Sequence, residues 1–166
     1  KFDKKYKLKF TFAVKRYKYS KLYPADLFQK EMNFFKKHMS KDNFEYLLQN
    51  INPKENFFSS YSAIFQSKVA VGTQSTLLRD KIGVGDKILS CNLTGLQIQD
   101  FPLTGICTIN NCSYEQFEQR LNEILNISTE EYFKRIDKDK KYVMEFQSQY
   151  GAIEVVKKEI KKVIAN

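Results

Sequence analysis

Residues 68–91 read KVAVGTQSTLLRDKIGVGDKILSC, and this stretch decides the fold class. Lys68–Gly72 is a short apolar run that ends in glycine, the pattern of a buried strand. Thr73-Gln74-Ser75-Thr76 follows, small and rich in hydroxyls, as a turn into a helix should be. The helix is expected to run to about Val84, with Gly85 as its C-terminal stop. Lys87–Cys91 is again a short apolar strand. Strand, turn, helix and strand within 24 residues imply a parallel βαβ unit.

The same alternation continues outward. Gly105–Ile109 reads as a third strand, and Ser113 caps a helix over Tyr114–Leu125 with Gln116 at the capping-box position. Ser128 opens another helix, with Glu131 in the matching place. Ala152–Ile164 carries Ile153, Val156, Ile160, Val163 and Ile164 at helical spacing. Toward the N-terminus, residues 8–15 alternate as a strand, and Ala25–Met39 repeats apolar residues as a helix. Phe44–Leu48 suits a short strand or a helical turn, with strand preferred, and Ser60–Gln66 suits a short helix. The expected architecture is therefore a single α/β domain over residues 1–166, a Rossmann-like three-layer sandwich with about five mostly parallel strands.

Composition bounds the function. A hydrophobic fraction of 42% and a charged fraction of 28% are those of an ordinary soluble globular protein, and no apolar run approaches the ~20 residues of a membrane span. The basic start has no apolar run or small-residue cleavage site behind it, so it is not read as a signal peptide. Cys91, Cys107 and Cys112 are odd in number and lack zinc-site spacing, which suits a reducing cytosol. The three Asn-x-Ser/Thr tripeptides, at Asn92, Asn111 and Asn126, are read as chance matches to the glycosylation pattern.

The net charge of +9 is unevenly spread. Lys1–Lys41 holds 13 basic residues against Asp3, Asp26 and Glu31, an excess of +10, while the remaining 15 basic and 16 acidic residues nearly cancel. Such an end attracts phosphates, anionic lipid or a nucleotide, or is simply a solvated basic face.

Gly72–Thr76 has the design of a phosphate site: a glycine at a strand end, hydroxyl donors, and the positive end of a helix dipole. A plain N-cap at Ser75 or Thr76 accounts for the same residues. Asp80, one turn beyond Thr76, could accept from ribose hydroxyls or face solvent, and Arg79 and Lys81 could meet phosphate or water. Lys15 and Arg16, at the carboxyl end of the first expected strand, stand where a ligand should lie. His38, the one histidine, falls late in a helix and receives no catalytic role. Asp137-Lys138-Asp139 matches the D-x-D metal pattern, but it sits among Lys134, Arg135, Lys140 and Lys141, which repel a divalent cation. The P-loop, zinc arrays and the G-x-S-x-G elbow are missing from the sequence, which sets aside P-loop ATPase, zinc enzyme and serine hydrolase.

Ser59–Thr94 resembles a block found in GT-B glycosyltransferases that build capsules and other surface carbohydrates. In that block a short Ser/Tyr-containing helix and a strand precede a "(G)xxSTLLxE(A)xxxG" turn-helix and a strand opening "(K)K(V/I)L". Tyr61, Gly72, Ser75, Thr76, Leu77, Leu78, Gly85, Lys87, Ile88 and Leu89 fall in those places. The likeness extends through Phe101-Pro102, Gly105-Ile106, Phe117–Leu125 and Glu131-Tyr132, and Lys15 matches a lysine at the end of an earlier strand. It implies the C-terminal, donor-binding half of such an enzyme, with a nucleotide-sugar donor as ligand. Thr73, Gln74, Ser75, Thr76 and Lys15 would then meet donor phosphate, and Asp80 the donor ribose. It also implies no metal and no further cofactor, and no catalytic residue in this half. The acceptor and catalytic base would belong to an N-terminal half of the same enzyme. The family's glutamate is Asp80 here, one methylene shorter, and its small neighbour is Lys81.

A cytoplasmic setting follows, with attachment to the inner membrane leaflet as an added expectation. Nucleic acid is not expected, since the sequence carries no recognisable motif for it. The competing readings are a non-catalytic basic module docking on nucleic acid or the inner leaflet, and a purely structural interaction domain.

Overall fold

The computed structural model describes residues 5–13, 26–51, 59–137 and 143. Lys15, Arg16, Asp139 and the expected helix over residues 152–164 lie outside them. The chain divides into two compact units, Lys1–Ala70 and Val71–Asn166.

The first unit holds the helices α1 (Asp26–His38), α2 (Lys41–Gln49) and α3 (Ser59–Gln66). Met32 and Leu47 are its buried centre, with Phe12, Phe28, Phe35, Met39 and Ile51 packed around them. Phe44–Leu48, where strand is the preferred reading over a helical turn, belongs to α2. The Ser40 hydroxyl accepts from the Asn43 N–H at 3.3 Å and starts the helix, and Leu47 then points at Met32 from one helical face. A five-residue stretch with four apolar side chains suits either period, and here the cap four residues upstream decides it. Of the strand expected over 8–15, residues 8–13 are described. Among them Phe12 forms an isolated parallel bridge with Ile51, its N–H donating to the Asn50 carbonyl at 2.9 Å.

The second unit holds an α/β layer. Strands β1 (Ala70–Gly72, its first residue at the unit boundary), β2 (Ile88–Asn92) and β3 (Thr108–Asn110) form a parallel sheet in the order β1-β2-β3. Helix α4 (Thr76–Gly83) connects β1 to β2, and α5 (Tyr114–Asn126) and α6 (Thr129–Lys134) follow β3. The β2–β3 register pairs Ser90 with Thr108, Cys91 with Ile109 and Asn92 with Asn110. The third strand thus starts three residues later than its sequence suggests. Gly105 instead makes an antiparallel bridge to Ile136, and its φ of 95° is open to glycine. Among the described residues the architecture is α/β with three strands and six α-helices.

Leu78, Ile82, Ile88, Leu89, Leu103 and Ile124 are almost wholly buried in this unit, each contributing about 1.5–3 kcal/mol by leaving water. The polar groups among them are satisfied. Tyr132, fully buried, accepts from the Ile88 N–H at 3.1 Å and donates to the Ile88 carbonyl at 2.7 Å, pinning β2 from one side. Lys87 runs under α5 and donates to the carbonyls of Ile124 and Ile127 at 2.8 and 2.7 Å, where the helix leaves its last acceptors open. Arg120 spends its guanidinium on the Gly105, Ile106 and Thr108 carbonyls.

Candidate functional site

The turn after β1 has the strand-to-helix form read from the sequence. Gly72 ends the strand, and Ser75 in extended conformation is the N-cap of α4, its hydroxyl accepting from the Leu77 N–H at 3.3 Å. The Ser75 carbonyl takes the Leu78 and Arg79 N–H groups. Below the turn, the Ser90 hydroxyl of β2 donates to the Thr73 carbonyl at 2.6 Å, tying the turn to the neighbouring strand. At Gly72 a Cβ would meet Leu78 Cδ1 at 3.3 Å, so any larger residue there would push on that side chain.

Helix geometry then sorts the side chains. Leu78, Lys81 and Ile82 form the buried stripe of α4, which turns Thr76 and Asp80, four residues apart, to the outer face. Thr76 and Gln74 are exposed, and Thr73, Ser75 and Asp80 are half-buried. Capping uses one lone pair of the Ser75 oxygen, and its O–H remains a donor. The cap and an anion contact are therefore compatible at one serine. Lys81 is a correction to the sequence reading. It lies fully buried with its ammonium 3.2 Å from Asp86, so it meets neither phosphate nor bulk water. Arg79 is half-buried on the helix flank.

Four described helices begin with a serine cap, at Ser40, Ser75, Ser113 and Ser128. Three already carry a carboxylate in the first turn: Asp42, Glu115, and Glu130 with Glu131. The first turn of α4 has none. Its dipole is the one among these four that no first-turn acid complements, and the nearest carboxylate on the same face is Asp80, one turn on.

At the carboxyl ends of β2 and β3 lies a polar network that the sequence reading missed. The Asn92 amide donates to the Leu96 carbonyl at 3.0 Å and to Asp100 at 2.6 Å, and its oxygen accepts from the Thr94 N–H and hydroxyl. Asp100 also accepts from the Asn110 amide at 2.9 Å. Asn92 thus uses both donors and both lone pairs on its own loop. Asn92 and Asn110 as register partners would have been the signal, but register is not written in either strand alone. Beyond β3, a shallow open cavity of about 370 Å³ is lined by Asn110, Asn111, Cys112, Gln116 and Arg120 among others.

Two of the thiols are quiet. Burial pushes Cys107 up to about 12 and Cys91 up to about 11, the latter helped by its neighbour Cys112. His38 ends α1, its ring 4.5 Å from that of Phe34. Asp137 accepts from the Thr104 hydroxyl at 2.6 Å. Among the described residues no group of three His, Cys, Asp or Glu side chains could hold a metal ion, and no helix is long and apolar enough to cross a membrane.

A parallel sheet with a serine-capped helix whose first turn holds no acid, at the carboxyl edge of β1, defines an α/β protein. Comparison by family narrows this. The chain belongs to a family described as "putative O-antigen biosynthesis protein", whose sequence profile matches residues 24–160. That description names a role in making surface polysaccharide. No curated protein and no solved structure matches the chain.

Proposed function

We propose that this chain supplies the donor side of a surface-polysaccharide glycosyltransferase of GT-B type, binding a nucleotide-sugar through a Rossmann-like sheet. The observation that carries the reading is the turn from β1 to α4. It combines a serine whose O–H is still free to donate, an outward-facing Thr76 and Asp80, and a helix dipole without a first-turn acid. The family's role in O-antigen biosynthesis supports the same class of chemistry, since polymerising sugars requires activated donors.

In this reading Thr73, Gln74, Ser75 and Thr76 hold the donor phosphates and Asp80 the ribose. Lys15 neutralises the charge that develops on the departing nucleotide, without a metal ion. The acceptor and the catalytic base come from an acceptor-binding half, and the work is done at the cytoplasmic face of the membrane. Ligand-detected NMR against CMP-, CDP-, GDP- and UDP-linked compounds tests it. One nucleotide is expected to be preferred, with Asp80→Asn lowering discrimination for ribose while phosphate affinity stays nearly intact. A folded sample that binds no member of the panel refutes the reading.

A further inference from the structure

Two of the three cysteines come together at the carboxyl edge of the sheet, both within the second unit. Cys91 is the penultimate residue of β2 and pairs in register with Ile109 of β3, so both side chains stand on one face. β3 ends one residue later at Asn110, and Asn111, at a φ of 49°, turns the chain out of the strand. The Asn111 N–H still donates to the Asn92 carbonyl at 2.8 Å, which holds the turn against the end of β2. Cys112 follows at once and lines the open cavity together with Ile109 and with Gln116, Arg120 and Glu123 of α5. Cys91, Ile109 and Cys112 thus lie on the side of the sheet that α5 covers. Burial, and after it charge on Cys112, raises the cost of ionising Cys91, so the two sulfurs are electrostatic neighbours. Hydrogen-bonded neighbours in a sheet lie about 4.8 Å apart, within the Cα separations of about 4.4–6.8 Å that a disulfide spans.

Access distinguishes the three thiols. Cys112 lines a cavity that opens to solvent, so a small reagent meets it first. Cys91 is half-buried outside that lining. Cys107 is wholly buried, and its Sγ donates to the Thr104 carbonyl at 3.5 Å. An accessible thiol beside a sheltered one is the arrangement of an attacking and a resolving cysteine.

We infer that Cys91 and Cys112 form a reversible dithiol–disulfide site, oxidised by a low-molecular-weight disulfide. The Cys112 thiolate attacks one sulfur of that disulfide, RSSR. A Cys112–SR mixed disulfide forms, and the first RS⁻ leaves and takes up the proton that Cys112 gave. The Cys91 sulfur then attacks the Cys112 sulfur: the Cys91–Cys112 bond forms, the Cys112–SR bond breaks, and the second RSH departs with the Cys91 proton. Two protein thiols lose two electrons, and one external disulfide gains them as two thiols. The bridge ties the turn after β3 to the end of β2, closing a loop around residues 92–111. This goes beyond the donor-binding reading and does not depend on it.

The test oxidises the reduced full chain with oxidised glutathione, blocks remaining thiols, and maps linkages by mass spectrometry of an unreduced digest. The expected product is an intramolecular Cys91–Cys112 link, in roughly tenfold excess or more over any link to Cys107, and dithiothreitol reopens it. In urea the preference should pass to Cys107–Cys112, whose shorter loop closes more readily, so the native selectivity reports the fold. Cys91→Ser should stop at a glutathione adduct on Cys112, and Cys107→Ala should close as the parent does, with circular dichroism confirming that both variants fold. Four results each overturn the inference: a parent that keeps the Cys112 adduct, a dominant link to Cys107, a link between two chains, or a native chain left reduced where the urea-unfolded chain oxidises.

Discussion

Ser75→Asp separates the two roles that meet at the start of α4. Aspartate caps a helix about as well as serine, so folding stability should stay within ~0.5 kcal/mol of the parent. Ser75→Ala, by contrast, leaves the Leu77 N–H without its acceptor and should cost about 1 kcal/mol. For an anionic ligand the order reverses. A carboxylate some 4 Å from a bound phosphate opposes it by about 2–4 kcal/mol at the effective dielectric of a half-buried site, a roughly 30- to 1,000-fold loss of affinity. Ser75→Ala removes one hydrogen bond to a charged group and loses only about 1.5–3 kcal/mol. Urea denaturation reads the first quantity, and ligand-detected NMR with the preferred nucleotide reads the second. A Ser75→Asp protein that binds nucleotide as well as the parent would falsify the anion role. One that is less stable than Ser75→Ala would remove the cap.

Tyr132→Phe strands both the N–H and the carbonyl of Ile88 in the core and should cost about 2–4 kcal/mol in urea unfolding, with a change below ~0.5 kcal/mol arguing against the bridge. Gly105→Ala combines a φ of 95° with a Cβ that overlaps the Arg135 carbonyl and lies 3.1 Å from Ile136 Cα; a loss of about 2 kcal/mol or more in thermal unfolding is expected, and an unchanged midpoint would contradict that geometry. The Cys107 thiol is held protonated by burial, up to about 12 from an ordinary 9.0. The folded protein therefore binds more protons than the unfolded chain between those values, and stability is full below pH 9 and falls as pH rises toward 12. Cys107→Ala should flatten the decline of the urea midpoint across that window, and an equal slope in both proteins would refute the assignment.

The local elements of the second unit were legible because each carries its own punctuation. Ser75 with Gly85 brackets α4, Ser113 with Gln116 closes a capping box, and Ser128 opens α6 onto Glu131. These signals act over three or four residues, the range at which a side chain can reach its own backbone. The Ser40 cap is as local as these, but it lies four residues outside Phe44–Leu48, whose own pattern suits either period. What else failed needed longer reach. Lys81 looks like any surface lysine beside Asp80 until α4 is set on the sheet, where the stripe of Leu78 and Ile82 carries it inward to Asp86. Lys87, Tyr132 and Asn92 likewise act through partners that are distant in the chain or lie across loops, 44 residues away for Tyr132 and Ile88. The candidate turn was readable as a shape. Which of its serine's hydrogen-bonding sites remains open was not.

The strand order bears directly on where a ligand could sit. In open parallel sheets a crevice forms where successive crossovers go to opposite faces, so that the strand order reverses. The described strands run β1-β2-β3 without reversal, and β1 is the edge of that sheet. The Thr73–Thr76 turn therefore leaves an edge strand, with β2 on one side holding it through Ser90 and no described strand on the other. A reversal at this sheet can arise only beside β1 or beyond β3. Beyond β3, the first turn of α5 already carries Glu115, and its cap is closed by the Gln116 side chain donating no site to a ligand: Ser113 and Gln116 satisfy each other. Beside β1, the helix start is free of acid and the Ser75 O–H is still unspent. Among the described residues, topology and local electrostatics thus single out the same edge, the side of β1 that no described strand occupies.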